Sequence, residues 1–397
     1  MSKSDTWISR GERHVMTTYG RYPLVPVKGR GCRMWDADGK EYLDFLAGVA
    51  VNNLGHCHPR VVTAIKEQAY KLLHCSNFYH IPQQIELAEL LCAHSFADRV
   101  FFCNSGAEAN EAAIKLARKQ SFEKHGEGRF EVITALASFH GRTLGTISAT
   151  GQEKVRSGFA PTLPGFRYVP FGDLAVLQAA VTPATCAIML EPVQGEGGVN
   201  VPPPDYLAAV RQLCDEKGLL LIFDEVQVGC GRTGTLFAYE QAGVVPDIMT
   251  LAKALAGGPP IGAMLTREEL ADALGPGTHG STFGGNPLMA AAALASVRTL
   301  IDDGVLENCR TSGAYLFQTL DELCQRYPFA REVRGQGLIL GLELEIEGGE
   351  IVKRCLEKGL LINCTVGKVL RFLPPLIVTP AEIDEAMAIL DEVLAAL

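Results

Sequence analysis

The chain has 397 residues, of which 47% are hydrophobic and 20% charged, a composition typical of a globular protein large enough for two domains. Its net charge of −9 does not indicate a nucleic-acid-binding surface, and it contains neither a basic run for a membrane surface nor an apolar run long enough to span a bilayer. The polar N-terminal residues predict no signal peptide, and twelve scattered cysteines, none in a C-x-x-C pair, predict reduced thiols, so we expect a cytoplasmic protein.

The middle of the chain alternates short apolar runs with amphipathic segments. The runs predicted to be strands lie at 100–103, 131–136, 167–170, 187–191, 219–224, 247–251 and 262–266. Helical patterns separate several of them, for example at 108–122 and at 205–217, where Gly218 is placed to end the helix. This alternation predicts an α/β domain with a mostly parallel sheet and helices on both faces.

The two ends of the chain have a different pattern. Residues 1–50 are predicted to be irregular and rich in turns, and residues 301–397 mix helical patterns with short strands. Rather than two independent small domains, we expect one smaller α+β domain built from both ends, beside a large domain of residues 51–300. Ligands of open α/β sheets bind beyond the carboxyl ends of the strands, so residues that follow each strand are candidates for chemistry.

The segment CNSGAEANE places a turn of small residues between a predicted strand and a predicted helix. Ser105 and Glu108 have the spacing of a capping box, so the helix begins here, and its N-terminus is a potential anion site. Most capping boxes only begin helices, which makes this feature weak by itself. Further along, HGSTFGGNP offers the hydroxyl groups of Ser281 and Thr282 beside a glycine pair.

The strand predicted at 219–224 is followed by a glycine-rich segment, 229–234, that matches the G-x-G-x-x-G pattern of dinucleotide-binding proteins. In dinucleotide-binding proteins the first glycine follows the strand directly, and a helix and a second strand come next. Here other residues separate the strand from the glycines, and no clean helix and strand follow. The carboxylate of Asp224 at the strand end is more informative, since pyridoxal phosphate (PLP) requires an acid beside its ring nitrogen. Lys253, at the end of the next strand in an apolar sequence, offers the amine for a Schiff base. Alone, either residue is more often a plain cap or a surface lysine.

Six segments together resemble the class III PLP-dependent aminotransferases. They are NSGAEANE, SFHGRT, EPVQGEGG, FDEVQVGCGRTG, TLAKALAGGPPIGA and HGSTFGGNP. Each is weak alone, but they occur in the family's order, and the resemblance covers nearly the whole chain, from GVAVNNLGHCHP to RFLPPL. It is closest to the group that acts on acetylornithine and succinylornithine. The resemblance implies a fold-type I PLP-dependent transferase, PLP as the cofactor, and a homodimer with shared active sites.

The resemblance implies cofactor-binding roles for residues at matching positions. Lys253 is expected to bind the cofactor covalently and then to move a proton, Asp224 to pair with the pyridine nitrogen, and Gln227 to hydrogen-bond the 3-oxygen of the ring. Phe139 is expected to stack on the ring face. The residues expected at the phosphate are Ser105, Gly106, Ala107 and, from the other subunit, Thr282. Many relatives have threonine at the position of Ala107, so this chain lacks one phosphate hydroxyl.

The resemblance also implies how two substrates share the site. Arg142 is expected to bind the distal carboxylate of an acylated ornithine or of glutamate, and Arg371 the α-carboxylate of glutamate or 2-oxoglutarate, because guanidinium groups pair with carboxylates through two hydrogen bonds. An unpaired Arg371 is costly when the ω-amine occupies the site. Glu196 is expected to neutralise it and to move away for the dicarboxylate, unless Glu196 is only a solvated loop carboxylate. Ser281 is expected to hydrogen-bond the acylated substrate.

The reaction expected from this resemblance transfers the ω-amino group of N2-acetyl-L-ornithine to 2-oxoglutarate. Its products are N-acetyl-L-glutamate 5-semialdehyde and L-glutamate, as in arginine biosynthesis. Val49 favours an acylated donor, because ornithine-specific relatives have a tyrosine near this position that can meet a free α-amine. Ornithine, succinylornithine, succinyldiaminopimelate and 4-aminobutyrate remain alternative donors. An aminomutase or racemase on the same fold, and a non-catalytic binding protein, are alternatives from other classes.

The segment GHCHP brings His56, Cys57 and His58 together like metal ligands. No further set of ligands has compatible spacing, so we expect no metal and interpret the segment as a turn near the cleft. His140, next to Phe139, is near enough in sequence to contact the cofactor, but the sequence assigns it no role.

Overall fold

The computed structural model describes residues 2–397. The helices are α1 (Lys3–His14), α2 (Ala47–Ala50), α3 (Pro59–Ala69), α4 (Pro82–Ala93), α5 (Gly106–His125), α6 (Leu144–Ala149), α7 (Glu153–Arg156), α8 (Leu174–Ala180), α9 (Tyr206–Lys217), α10 (Ala238–Ala242), α11 (Glu268–Ala271), α12 (Pro287–Asp302), α13 (Val305–Arg326), α14 (Gly349–Glu357) and α15 (Pro380–Ala395). Short 3-10 helices lie at Lys253–Leu255 and Asp272–Leu274.

The strands belong to three sheets. They are β1 (Pro26–Arg30), β2 (Arg33–Asp36), β3 (Glu41–Asp44), β4 (Arg99–Cys103), β5 (Glu131–Ala135), β6 (Phe166–Val169), β7 (Thr185–Leu190), β8 (Leu220–Asp224), β9 (Ile248–Leu251), β10 (Gly262–Thr266), β11 (Ala330–Gln336), β12 (Ile339–Leu344), β13 (Leu360–Leu361), β14 (Asn363–Thr365) and β15 (Val369–Phe372).

The largest sheet has seven strands in the order β4-β10-β9-β8-β7-β5-β6. The strands from β9 to β6 pair in parallel, and β10 runs antiparallel to both of its neighbours. All seven strands predicted from the sequence form, with ends that differ from the prediction by two residues at most. The prediction of a mostly parallel α/β sheet is therefore confirmed.

The central strand β8 shows that the large sheet is buried on both faces. Leu221 and Phe223 belong to the core cluster that includes residues of α9, whereas Ile222 packs in a second cluster that includes Ala112 and Leu116 of α5. Side chains alternate between the faces of a strand, so neighbouring residues of β8 contact opposite helical layers. Such double burial explains why the strand is a continuous apolar run rather than an alternating one.

The ends of the chain form two four-stranded sheets, of order β1-β2-β3-β13 and β11-β12-β15-β14. In the first of these, β13 pairs in parallel with β3, and Leu360 lies opposite Leu43. Strands from the two ends of the chain are thus hydrogen-bonded to each other. Among residues 2–397, no helix has both the length and the apolar content that a membrane crossing requires.

The N-terminal residues are more regular than predicted. The side chain of Ser2 accepts a hydrogen bond from the Asp5 amide at 2.9 Å, and the Asp5 carboxylate accepts one from the Ser2 amide at 2.8 Å. This reciprocal cap begins α1, and three strands of four or five residues follow between positions 26 and 44. The prediction of an irregular segment at 1–50 was wrong, because the capping box uses aspartate in place of glutamate and the strands are short.

The glycine-rich segment 229–234 packs against the C-terminal part of the chain. A Cβ atom on Gly231 would lie 2.7 Å from Cδ1 of Leu376. The neighbouring Arg232 is fully buried, and its guanidinium donates hydrogen bonds to the carbonyl oxygens of Leu338 at 2.8 Å and Pro374 at 2.6 Å. Burial lowers the pKa of Arg232 to about 10. The segment therefore connects the residues that follow β8 to the C-terminal part of the chain.

Candidate active site

A cavity of about 390 Å³ lies beyond the carboxyl ends of the parallel strands. It is lined by the residues that follow β5, β7, β8 and β9 and by the N-terminus of α5. The predicted site residues that line it are Ser105, Gly106, Ala107, Phe139, Arg142, Glu196, Asp224, Gln227 and Lys253. Most of the residues selected from six separated segments therefore surround one cavity.

Asp224, the last residue of β8, is buried and held by three donors. Its Oδ2 accepts a hydrogen bond from Nδ2 of Asn110 at 2.7 Å and lies 2.8 Å from Nδ1 of His140, and its Oδ1 accepts one from the Val226 amide at 3.0 Å. The Thr250 hydroxyl donates to Oδ1 of Asn110 at 2.7 Å, which orients the Asn110 amide toward the carboxylate. Oδ1 of Asp224 can still accept a hydrogen bond from a ligand.

His140 and Asn110 are site residues to which the sequence led us to assign no role. Burial lowers the pKa of His140, but the hydrogen bond and negative charge of Asp224 outweigh burial, so its pKa is raised. A signal for Asn110 is present in the sequence, because it lies four residues after Gly106 and so shares its face of α5. The signal for His140 is its place directly after Phe139 beyond a strand end.

Lys253 follows β9 and begins a 3-10 helix with a φ of 44°. Such a left-handed conformation is uncommon for a residue with a side chain and is often found at functional sites. Burial lowers the pKa of Lys253; the negative charge of Glu196 opposes this shift, and the positive charge of Arg371 adds to it. The neutral amine, which is the nucleophilic form, is therefore favoured in this cavity.

The N-terminus of α5 opens into the cavity. Ser105 accepts a hydrogen bond from the Glu108 amide at 3.2 Å, but the predicted capping box is only half formed, because the Glu108 carboxylate bonds the Asn104 amide instead of the Ser105 amide. A Cβ atom on Gly106 would lie 2.6 Å from Cγ1 of Val226, so glycine allows the turn to pack against the residues after β8. A helix start of this kind binds anions.

Arg371 and Glu196, which the resemblance pairs, are in contact. Arg371 lies on β15 with 1% of its surface exposed, and its Nη1 donates to Oε1 of Glu196 at 2.7 Å and to Oε1 of Gln227 at 3.1 Å. Burial raises the pKa of Glu196, but the positive charges of Arg371 and Lys253 and the hydrogen bonds from Arg371 and Gln227 together outweigh burial and hold the pKa below its usual value. The pair therefore places a buried cation behind a carboxylate at the edge of the cavity.

The glycines around Glu196 are required by close approaches. A Cβ atom on Gly195 would lie 1.6 Å from Oε1 of Gln227, and one on Gly197 would lie 2.5 Å from the carbonyl oxygen of Ala137. The sequence GEGG therefore lets the Glu196 turn lie directly against the Gln227 side chain and the backbone after β5.

Phe139 and Arg142 lie together on the loop after β5. The Arg142 guanidinium is 5.4 Å from the centre of the Phe139 ring, which is a cation–π contact. The Phe139 amide donates to Oε2 of Glu191 at 3.0 Å. Glu191 lines the cavity as well and is a third residue for which the sequence suggested no role.

Ser281 and Thr282 do not line the cavity of their own chain. The Ser281 hydroxyl accepts hydrogen bonds from Nδ2 of Asn104 at 3.1 Å and from the Gly284 amide at 3.0 Å, and Thr282 is exposed. Their contacts with phosphate and substrate remain predictions that involve a second subunit. In GHCHP, His56 lies 2.7 Å from the buried carboxylate of Asp44.

The lining residues fit PLP in their chemistry. An acid with a free acceptor position, an amine with a lowered pKa and a helix N-terminus meet in one cavity, and these are the partners of its ring nitrogen, aldehyde and phosphate. Glycine at position 106 keeps the cavity closely packed where α5 begins.

Comparisons with known proteins show which family this chain resembles. Residues 15–394 match the family described as "Aminotransferase class-III". The chain is 55% identical over 389 residues to an acetylornithine aminotransferase of Caldanaerobacter subterraneus subsp. tengcongensis, with 98% of this chain and 99% of the relative covered. It is similar to the crystal structure of ornithine aminotransferase from Toxoplasma gondii (TM-score 0.96, 37% identity, 100% and 96% covered). It is also similar to that of N-acetylornithine aminotransferase from Stenotrophomonas maltophilia (TM-score 0.84, 40% identity, 98% of each chain covered).

Proposed function

The chain belongs to the class-III aminotransferase family, and from this premise we propose that it transfers the ω-amino group of N2-acetyl-L-ornithine to 2-oxoglutarate. The family uses PLP. The products are N-acetyl-L-glutamate 5-semialdehyde and L-glutamate, which places the reaction in arginine biosynthesis. The observation that carries the proposal is the 2.7 Å contact between buried Arg371 and Glu196 beside Lys253. Arg371 can bind the α-carboxylate of 2-oxoglutarate, and it stays paired with Glu196 when the ω-amine donor is bound.

When bound, the cofactor supplies a conjugated ring that accepts electrons from the substrate carbon as that carbon loses its proton. The Asp224 carboxylate keeps a proton on the ring nitrogen, and Asn110 and His140 fix the carboxylate for this role. The amine of Lys253 would accept the proton that the substrate carbon loses and hold it as an ammonium group within the cavity. Burial lowers the pKa of this amine, which increases the fraction in the neutral form that can accept a proton.

Two arginines allow both substrates to use one site. Arg142 binds the carboxylate far from the reacting nitrogen, and its planar guanidinium is held over the Phe139 ring. With the ω-amine donor, Glu196 remains paired with Arg371, so no buried cation is left alone. With 2-oxoglutarate, the α-carboxylate replaces Glu196, which is 31% exposed and can turn away.

The preference for an acylated donor is supported by the surroundings of Val49. This residue has a φ of 65° in the left-handed turn before Val51, which lines the cavity. Val49 itself does not line the cavity but packs against an apolar cluster that contains Val193 and Val199. An aliphatic environment gives a free, charged α-amine no partner, whereas an acylated nitrogen carries no charge to be solvated.

We propose a homodimer because several large apolar side chains are exposed close to the segment that carries Ser281 and Thr282. Phe78 is 94% exposed, and Phe283 is 59% exposed and lies 5.3 Å from the ring of His74. An exposed apolar patch of this kind marks an interaction surface. In the dimer, Thr282 reaches the phosphate and Ser281 the acyl group at the partner's cavity.

Residues 1–50 and 301–397 are proposed to form the small domain and residues 51–300 the large one. The pairing of β13 with β3 supports this division, because it links the two ends directly. The cytoplasm is the proposed location, since all twelve cysteines are free.

The proposal is tested first at the cofactor. Protein reconstituted with PLP is expected to absorb visible light and to be fixed by borohydride at Lys253, and Lys253→Ala to lose the fixed product. A colourless wild type, or borohydride fixation that persists in the variant, would refute the cofactor assignment.

The donor is tested by the initial rate of glutamate formation from 2-oxoglutarate with a panel of amines. N2-acetyl-L-ornithine is expected to give the highest kcat/KM, ahead of ornithine, succinylornithine, succinyldiaminopimelate and 4-aminobutyrate. Arg371→Ala distinguishes a transaminase from an aminomutase or racemase. An aminomutase or racemase would keep its activity without this arginine, whereas a transaminase would lose the 2-oxoglutarate half-reaction.

A further inference from the structure

Glu191 is a buried acid that the mechanism above does not use. It follows β7, whose last residue Leu190 lies opposite Phe223 in β8, so Glu191 and Asp224 leave adjacent parallel strands side by side. Glu191 lines the cavity and has 6% of its surface exposed.

The carboxyl group of Glu191 is held by two backbone amides from different loops. Oε2 accepts a hydrogen bond from the Phe139 amide at 3.0 Å, and Oε1 accepts a longer one from the Gly195 amide at 3.4 Å. Phe139 is the residue expected on the ring face, and Gly195 directly precedes Glu196, the partner of Arg371. One carboxyl group thus bridges the loop at the ring and the turn at the second carboxylate site.

We propose that Glu191 is a positioning residue that sets the Phe139 loop and the Glu196 turn relative to each other. The inference rests on the proposed function, since it assigns Glu191 to the same cavity. Through the Phe139 amide it fixes the ring-stacking side chain, and through the Gly195 amide it fixes the turn from which Glu196 must swing. A displacement of either loop then displaces the other through the Glu191 carboxyl group.

The charges around Glu191 allow it to fill this role without an ionic partner. The groups that face it are His140, Asp224 and the Lys253 amine. Burial raises the pKa of Glu191 to about 7, so a large fraction of the carboxyl groups is protonated at neutral pH. A neutral acid beside Asp224 avoids two like charges at adjacent strand ends, and its two oxygens still engage both loops.

The matched variants are Glu191→Ala and Glu191→Gln, with Glu127→Ala in an exposed loop as the control. Glutamine keeps the size and an acceptor oxygen for the Phe139 amide, whereas alanine removes both links. Three quantities are measured: the Kd of the apoprotein for PLP by fluorescence quenching, the visible circular dichroism of the bound cofactor, and the separate KM values for N2-acetyl-L-ornithine and 2-oxoglutarate.

Glu191→Ala is expected to weaken PLP binding about tenfold, as for the loss of one buried hydrogen bond, and to change the circular dichroism. It is also expected to change the ratio of the two KM values by about fivefold or more. Glu191→Gln is expected to stay within about threefold of wild type in PLP Kd, since it retains the Phe139 link, but to change the KM ratio by about fivefold or more, since its NH2 group cannot accept from the Gly195 amide.

Two results would overturn the inference: wild-type PLP affinity, dichroism and KM ratio in Glu191→Ala, or a wild-type KM ratio in Glu191→Gln. If the alanine variant does not fold, the glutamine variant decides, because a changed KM ratio with wild-type PLP affinity supports the positioning role, whereas a wild-type KM ratio refutes it. Failure of the proposed function is seen separately, as a wild-type protein that binds no PLP or transfers no amine.

Discussion

At Gly195, one added methyl group is expected to damage cofactor binding more than folding. In Gly195→Ala the Cβ atom would lie 1.6 Å from Oε1 of Gln227, which must move by about 1.4 Å to reach a 3.0 Å contact. That displacement breaks the hydrogen bonds of Gln227 with Arg371 (3.1 Å) and Glu196 (3.2 Å). The obstructing atom ends a flexible side chain, so we expect only about 1 kcal/mol of lost stability. The contact proposed between Gln227 and the 3-oxygen of PLP is lost as well, which weakens PLP binding about tenfold.

The assay compares the variant apoprotein with wild type by urea denaturation and by PLP titration. Gly197→Ala is the matched control, because its Cβ would lie 2.5 Å from a backbone oxygen of Ala137, which cannot rotate away. The control is expected to lose roughly 2–3 kcal/mol of stability. Wild-type PLP affinity in a folded Gly195→Ala would refute the role given to Gln227.

Three further predictions concern charge. Glu196→Ala leaves Arg371 free for 2-oxoglutarate, so the KM for 2-oxoglutarate should fall while single-turnover amine donation slows about tenfold; equal factors on both half-reactions would contradict the pairing. Arg232→Lys loses the planar guanidinium that serves two buried carbonyl groups and should lower the free energy of unfolding by about 3 kcal/mol in urea denaturation. An unchanged urea midpoint would contradict the contribution of these hydrogen bonds to stability. Because the pKa of Glu191 is raised from 4.5 to about 7, the folded protein holds a proton that the unfolded chain has lost, and stability falls as pH rises through that window. Wild type should therefore lose roughly 2–3 kcal/mol more than Glu191→Gln between pH 5 and pH 8 in urea denaturation, and parallel pH profiles would exclude this titration.

The large sheet could be predicted from the sequence because its strands are fully buried. Burial on both faces makes runs such as residues 220–223 continuously apolar, and glycine and polar residues interrupt them clearly. The N-terminal helix could not be recognised in this way, since it has no buried residue and therefore no apolar stripe. Its signal was confined to the cap between Ser2 and Asp5.

Within the site, residues at strand ends could be predicted and those that support them could not. Asp224 and Lys253 have chemistry that stands out against apolar strands. Asn110 looks like an ordinary helix residue, and its partner Thr250 like an ordinary strand residue, until the fold brings them within 2.7 Å of each other. Glu191 was hidden for the same reason, because its role depends on two backbone amides from distant loops.

The central claim is that the nitrogen moves from the ω-position of an acylated ornithine to 2-oxoglutarate. It is tested most directly with N2-acetyl-L-ornithine that carries ¹⁵N only at the ω-amine, followed by mass spectrometry of the glutamate formed. We expect one labelled nitrogen in each glutamate and an unlabelled semialdehyde. Unlabelled glutamate, or a donor-derived product that retains the ¹⁵N, would contradict the proposed reaction.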